Sequence, residues 1–146
     1  DKGTVSSEVV RFELRFPDET EQTSLLIGAD APVYDFIRLR LLNGEPMSLD
    51  ATIMPVSLVP GLNKSHLESS VFRYVQHTLG LKIMGSYRVV RALKPNALDM
   101  QYLNCQETDP VMEVEQVIYL EDGTPLEYAH CHYRYDHSGI VIVNNG

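Results

Sequence analysis

An α+β domain is the fold class the sequence predicts, and three observations predict it. Strand-period runs recur along the chain with only two or three helical stretches between them. Two short glycine-containing turns, Asn43-Gly44 and Asp122-Gly123, make the strands beside them antiparallel. The length, 146 residues, fits one domain.

Taken in order, Val10, Phe12, Leu14 and Phe16 alternate with Arg11, Glu13 and Arg15, the period of a half-buried first strand that Pro17-Asp18 ends. Residues 19–23 read as a loop or a helix start. Val33–Leu42 and 47–54 are the next two strands, with Asn43-Gly44 between them. The loop length decides which side chains share a face. A two-residue loop on Asn43-Gly44 puts Arg38 and Asp50 on opposite faces. A three-residue loop on Leu42-Asn43-Gly44 puts Arg38, Arg40, Ser48 and Asp50 on one. After Pro55 and Pro60-Gly61, Leu67, Val71, Val75 and Leu79 recur every four residues and predict a helix that Gly80 stops. Its start is either the capping-box spacing Ser65-x-x-Glu68 or, after a bend, Ser69 or Ser70. Residues 81–93 form a long strand. Pro95-Asn96 opens a short helix carrying Leu98, Tyr102 and Leu103. Asp109-Pro110 breaks the chain before the strand Val111–Leu120, and 126–135 returns after Asp122-Gly123. Residues 139–143 are a short last strand.

Hydrophobic residues are 44% and charged residues 22% of the chain, which excludes disorder as the dominant state. A formal charge of −8 argues against this chain gripping nucleic acid by itself, because phosphate binding needs a basic surface. No apolar run is long enough to span a bilayer. The opening Asp1-Lys2-Gly3 has neither a starting Met nor a signal-peptide pattern and is expected to be the start of a piece from a longer protein. Cys105 and Cys131 are too few for a disulfide scaffold and read as reduced thiols.

Several constellations bear on chemistry. Arg38-x-Arg40 on a strand converges two guanidiniums, a fork suited to phosphate or carboxylate; the plainer reading is surface arginines paired with local acids. Ser69-Ser70 at a helix start offers an anion site, or simply an N-cap. Glu127 and Tyr133 share strand parity, as do Ala129 and Cys131, and face either a polar ligand or solvent. Asp50 and Glu127 would serve as an acid–base couple, although nothing local demands it. His130-x-His132 with Cys131 and His137 invites a zinc reading, but Cys131 points away from the two histidines and no second cluster completes a site, so no metal is expected.

The ordered series Ile37-Arg38-Leu39-Arg40, Asn43-Gly44-x-Pro46, Asp50, Pro55, Ser69-Ser70-Val71-Phe72, Gly123-x-Pro125-Leu126-Glu127 and Tyr133-Arg134-Tyr135-Asp136 resembles the effector-binding domain of bacterial GntR-type transcription regulators of the HutC subfamily. That domain is called UTRA, for UbiC transcription regulator-associated. The resemblance runs from about residue 5 to residue 143. It implies a chorismate-lyase-like fold, a mostly antiparallel sheet with flanking helices, as one domain over residues 1–146. It also implies a cytoplasmic homodimer without a cofactor. An N-terminal winged helix-turn-helix, absent from this sequence, would bind operator DNA.

By the same resemblance, Arg38, Arg40 and Ser70 hold the phosphate of a sugar phosphate or amino-sugar phosphate effector. Asp50, where many members have Glu, faces its hydroxyls or amine, and Glu127 and Tyr133 close the other side. Phe72 stands where Tyr is common. One pocket containing Arg38, Arg40 and Asp50 favours the three-residue hairpin. The function implied is ligand sensing in a transcription repressor, not catalysis. The alternatives are a chorismate-lyase-like enzyme acting on a small carboxylate, or a dimerisation module with a vestigial pocket.

Overall fold

A computed structural model describes residues 3–137 and 139–143. The strands β1 (Val5–Arg15), β2 (Val33–Leu42), β3 (Glu45–Pro55), β4 (Ile83–Leu93), β5 (Val111–Leu120) and β6 (Pro125–Arg134) form one six-stranded sheet in the order β1-β2-β3-β6-β5-β4. Every pairing is antiparallel. The two hairpins, β2–β3 and β5–β6, lie side by side through β3 and β6, so the centre of the sheet is built from the strands that carry Asp50 and Glu127.

Helices cover the two faces separately. On one face, α2 (Lys64–Glu68) and α3 (Val71–Arg73), followed by a π-helical turn over Tyr74–Thr78, bury Leu67, Val71 and Val75 against Tyr34, Phe36, Met54 and Leu126. On the other, α4 (Ala97–Tyr102) leads into Leu103, which is buried against Ile37, Leu39 and Leu49, while α1 (Glu19–Leu25) sets Leu25 against Ile53, Val117 and Tyr128. The segment with the every-fourth-residue apolar pattern is broken at Ser69, as the later of the two possible starts requires. Asn63, not Ser65, caps α2, and Ser70 caps α3 by accepting from the Arg73 amide at 3.2 Å. Residues 19–23 lie within α1, which Asp18 and Glu21 start with reciprocal capping bonds.

Three departures from the sequence reading have physical causes. First, the β2–β3 turn has two residues: Asn43 (φ 53°) and Gly44 (φ 80°) join Leu42 to Glu45. Arg38 nevertheless opposes Asp50. Beyond Leu41↔Pro46 the pairing resumes at Arg40↔Ser48, leaving Met47 as an extra residue in a bulge. The bulge, not a longer loop, restores the shared face. Second, β1 is bulged at Val10, because Val9 pairs with Arg38 and Arg11 with Ile37. Phe12 therefore packs beside Tyr34 and Phe36, whereas Val10 joins the opposite core, and Leu14 and Phe16 are exposed. Third, residues 139–143 form no strand, and Ile140–Val143 are exposed. They follow β6, whose two edges are already occupied by β3 and β5, so no adjacent edge is open to them.

Candidate functional site

The register of the central strands brings five of the seven predicted site residues together. Arg38, Asp50 and Cys131 lie in one cross-strand row of β2, β3 and β6. Arg40, Ser48 and Tyr133 form the next row. Alternation places both rows on the face that carries Phe36 and the α2–α3 segment, and Glu127 joins them along β6. The Arg38 guanidinium carbon stands 5.8 Å from the centre of the Phe36 ring.

Of these polar groups Asp50 and Glu127 are buried and Arg38, Arg40 and Tyr133 half-buried, and the set is incompletely paired. Asp50 and Glu127 are 8% and 5% exposed. Arg40 Nη1 approaches Asp50 Oδ2 at 3.7 Å, an ion pair longer than a hydrogen bond. Arg38 Nε, Arg40 Nε and Asp50 Oδ1 are buried without a hydrogen-bond partner among the described residues. A buried polar atom left unpaired typically costs about 1–3 kcal/mol, so three at one point mark a place built for something else to complete.

The electrostatics agree. Burial, and then the neighbouring charge of Arg40, hold the Arg38 pKa below the usual guanidinium value, against the pull of Asp50 and Glu127. An arriving anion would relieve both effects. Burial pushes the Glu127 carboxyl up to about 7, while a hydrogen bond from Gln116 works the other way. Burial first, then the neighbouring Cys131 and Asp50, push the Tyr133 phenol up to about 12, so it remains an O–H donor at neutral pH. Burial likewise raises the Cys131 thiol. The cluster therefore combines two guanidiniums, a carboxylate, a carboxyl that titrates near neutrality and a phenol. That set matches a ligand with an anionic end and a hydroxyl- or amine-bearing end.

Ser70 and Phe72 are brought to the same face but not into this network. The Ser70 hydroxyl is engaged as the α3 cap, and no hydrogen bond or ion pair among the described residues ties it to the arginines. Phe72 is 37% exposed and lines a cleft of about 370 Å³ with Gln76, Met84, Ser86 and Arg88.

The sequence reading missed Arg88 and Gln116. Arg88 pairs with Gln116 in the β4–β5 register, and Gln116 with Ala129 in the β5–β6 register, so both point to the face that carries Arg38, Asp50 and Glu127. Their only sequence signal is strand parity, which is silent until the register between β4, β5 and β6 is known.

His130 and His132 are engaged on the opposite face. His132 lies between Asp99 and Glu113, and His130 is close to Glu115 and Tyr128. His137 Nδ1 is 3.2 Å from the Pro46 carbonyl.

Known proteins share this architecture. The UTRA domain family matches residues 2–138. The HTH-type transcriptional regulator GmuR of Bacillus subtilis (strain 168) is 40% identical over 140 residues, which are 96% of this chain and 59% of that protein. The mannosyl-D-glycerate transport/metabolism system repressor MngR of Escherichia coli (strain K12) is 30% identical over 137 residues, 94% of this chain and 57% of that protein. The chain thus spans less than two thirds of these relatives' length. The solved structure of a GntR-family transcriptional regulator from Bacillus cereus superposes with a TM-score of 0.85 at 33% identity, covering 97% of this chain and 99% of that one. An antiparallel six-stranded sheet with an incompletely paired polar cluster at its centre, and a family match across nearly its whole length, identify this chain as a member of the UTRA domain family of GntR-type transcription regulators.

Proposed function

We propose that this domain senses a small phosphorylated sugar or amino sugar. Arg38 and Arg40 bind the phosphate, with Ser70 and the start of α3 beside them. Asp50, Glu127 and Tyr133 read the hydroxyls or amine. The observation that carries this reading is the set of buried, unpaired atoms Arg38 Nε, Arg40 Nε and Asp50 Oδ1 on one sheet face. A sugar-linked role for the relative MngR, whose name refers to mannosyl-D-glycerate, supports the ligand class. In the whole protein, operator DNA is contacted by a segment outside this chain, in the cytoplasm. The ligand shifts DNA binding only by its differential affinity for two domain arrangements.

The test is thermal unfolding with glucose 6-phosphate and glucosamine 6-phosphate, each beside its unphosphorylated sugar, and with inorganic phosphate. A ligand at a hundred times its Kd adds about 2.7 kcal/mol of apparent stability. Stabilisation by a hexose phosphate that the unphosphorylated sugar does not reproduce is the expected result. Equal response to both, or to neither, rejects the phosphosugar reading.

Phe72→Tyr is expected to retain phosphosugar binding, with a gain of about 0.5–1.5 kcal/mol where the added phenol reaches the anion. For an apolar acyl effector the sign reverses, since a hydroxyl buried without a partner is penalised. Calorimetry of both proteins with a hexose 6-phosphate and with an acyl compound separates the cases. Loss of hexose phosphate binding in the variant would place Phe72 in an apolar pocket.

We also propose that the domain pairs as a homodimer. A second copy would cover the free edge strand β4, which leaves Met84, Tyr87 and Val90 exposed. Light scattering at tens of micromolar should give about twice the chain mass of 16.5 kDa, and Tyr87→Glu should lower it. A monomer mass for the parent chain counts against the pairing.

A further inference from the structure

The sheet face that carries Arg38, Asp50 and Glu127 holds a hydrogen-bonded relay that runs from the edge of the sheet to its centre. Arg88 Nε on β4 donates to Gln116 Oε1 on β5 at 2.9 Å, and Gln116 Nε2 donates to Glu127 Oε2 on β6 at 3.1 Å. A guanidinium only donates, so it must meet the oxygen end of the Gln116 amide. The nitrogen end is then turned to Glu127, and it too can only donate. Glu127 Oε2 therefore serves as an acceptor, which favours Oε1 as the oxygen that carries a proton.

We infer that Arg88 and Gln116 are positioning residues for the effector site: they orient Glu127 and keep its second oxygen, Oε1, as the group that meets a ligand hydroxyl or amine. This inference rests on the proposed sensing role for its ligand-facing half only. Its structural half stands on the relay itself.

The relay also works against the burial that raises the Glu127 pKa. The Gln116 bond favours the carboxylate, and the nearby charges of Arg38 and Arg88 act in the same direction, while burial and Asp50 oppose them. The groups that surround Glu127 on this face are Arg38 from β2, Asp50 from β3, Cys131 from β6, Gln116 from β5 and Arg88 from β4. As a carboxylate, Glu127 suits an ammonium group or a donating hydroxyl. As a neutral acid, it loses its preference for the ammonium group. A carboxamide with its nitrogen end held toward Glu127 keeps the carboxylate populated at neutral pH. An unanchored amide could rotate and present its oxygen to Glu127, favouring the neutral acid.

Arg88 lies on an exposed edge strand, so its removal should leave the fold intact. The experiment follows the Glu127 carboxyl by carbon-13 NMR against pH in the ligand-free domain. The parent, Arg88→Ala, Arg88→Lys and Gln116→Leu are compared, and Glu127→Gln assigns the signal. The midpoint is expected near 7 in the parent and about one pH unit higher in Gln116→Leu, with a smaller rise in Arg88→Ala that Arg88→Lys reverses. Unchanged midpoints in both Gln116→Leu and Arg88→Ala would overturn the inference.

A second reading uses glucosamine 6-phosphate and glucose 6-phosphate at pH 7.5. The ratio of their affinities should fall several-fold in Gln116→Leu. If the midpoints move and neither sugar phosphate binds the parent, the relay stands and the phosphosugar reading fails. If both bind and the ratio is unmoved, Glu127 Oε1 does not face the ligand, and the ligand-facing half is rejected.

Discussion

Replacing His132 by alanine is expected to destabilise the domain by about 3–5 kcal/mol, the range for breaking a buried ion pair by removing one partner. His132 Nδ1 is 2.9 and 3.0 Å from the two Asp99 oxygens, and Nε2 is 2.8 Å from Glu113 Oε2. Both ring nitrogens face carboxylates, so both carry protons and the ring is an imidazolium. Asp99 is 0% exposed and is also the third residue of α4, where it closes the capping box with Asn96. The imidazolium thus ties α4 to β5 and β6. Without it, Asp99 and Glu113 lose their shared cation, and Arg91, 3.4 Å from Glu113, is a more exposed counter-ion. Urea unfolding at pH 6 checks the prediction, and a loss under 1 kcal/mol would show that the triad is not a structural tie.

The pH dependence has a definite sign. Burial lowers the His132 pKa, but hydrogen bonds to Asp99 and Glu113 outweigh it and the net shift is upward. A raised histidine contributes stability that is complete below its ordinary value and is lost as pH rises through the folded one. Glu127 is also raised, to about 7, so the folded state holds its proton more tightly than the unfolded chain. Stability therefore falls between about 4.5 and 7 on its account. Glu115, held low by the Tyr128 hydroxyl and then Arg91, loses its contribution only below the ordinary carboxylate range. Unfolding free energy should decline from pH 5 to pH 8. Glu127→Gln should flatten the lower part of that decline and His132→Ala the upper part.

The strands were legible in the sequence because their signal is local. Alternation, Asn-Gly and Asp-Gly turns and proline breaks located β2 to β6 to within two residues, whereas β1 begins at Val5, five residues before the alternation read from Val10. What was not legible is what depends on pairing. The bulge at Met47 cannot be read from a β-strand pattern, because the extra residue is defined only by its partner strand. The same holds for Val10, where alternation suggested one face and the bulge divides Val10 from Phe12. The run 139–143 has strong strand propensity but no adjacent edge open to it. In the candidate site, Arg38 and Arg40 carried a signal of their own through i, i+2 spacing. Glu127 was flagged by parity with Tyr133. Arg88 and Gln116 were missed because neither is near another site residue in sequence and only the β4–β5–β6 register assembles them.

Arg38→Met and Arg40→Met should separate binding from folding. Each side chain contributes a charge-assisted hydrogen bond to the proposed phosphate, typically worth about 1.5–3 kcal/mol, or roughly 10- to 150-fold in Kd. The double variant should lose binding beyond detection by calorimetry with a hexose 6-phosphate. Folding should respond differently. The Arg38 pKa is lowered chiefly by burial, and its Nε has no hydrogen-bond partner among the described residues, so in the unliganded domain this side chain is held at a cost. An apolar side chain of similar volume removes that cost, although Asp50 and Glu127 then lose a compensating charge. For Arg38→Met these effects oppose each other, and a net change of about 1 kcal/mol or less is expected. Arg40→Met is the more destabilising single change, because Arg40 is the cation that Asp50 approaches at 3.7 Å. Urea unfolding without ligand, beside calorimetry with it, gives both quantities. A large affinity loss with little stability loss in Arg38→Met is the signature of a side chain maintained for a ligand. Unchanged affinity in both single variants would remove the arginines from the site. A stability loss in Arg38→Met as large as that expected for His132→Ala would make Arg38 a structural residue of the sheet.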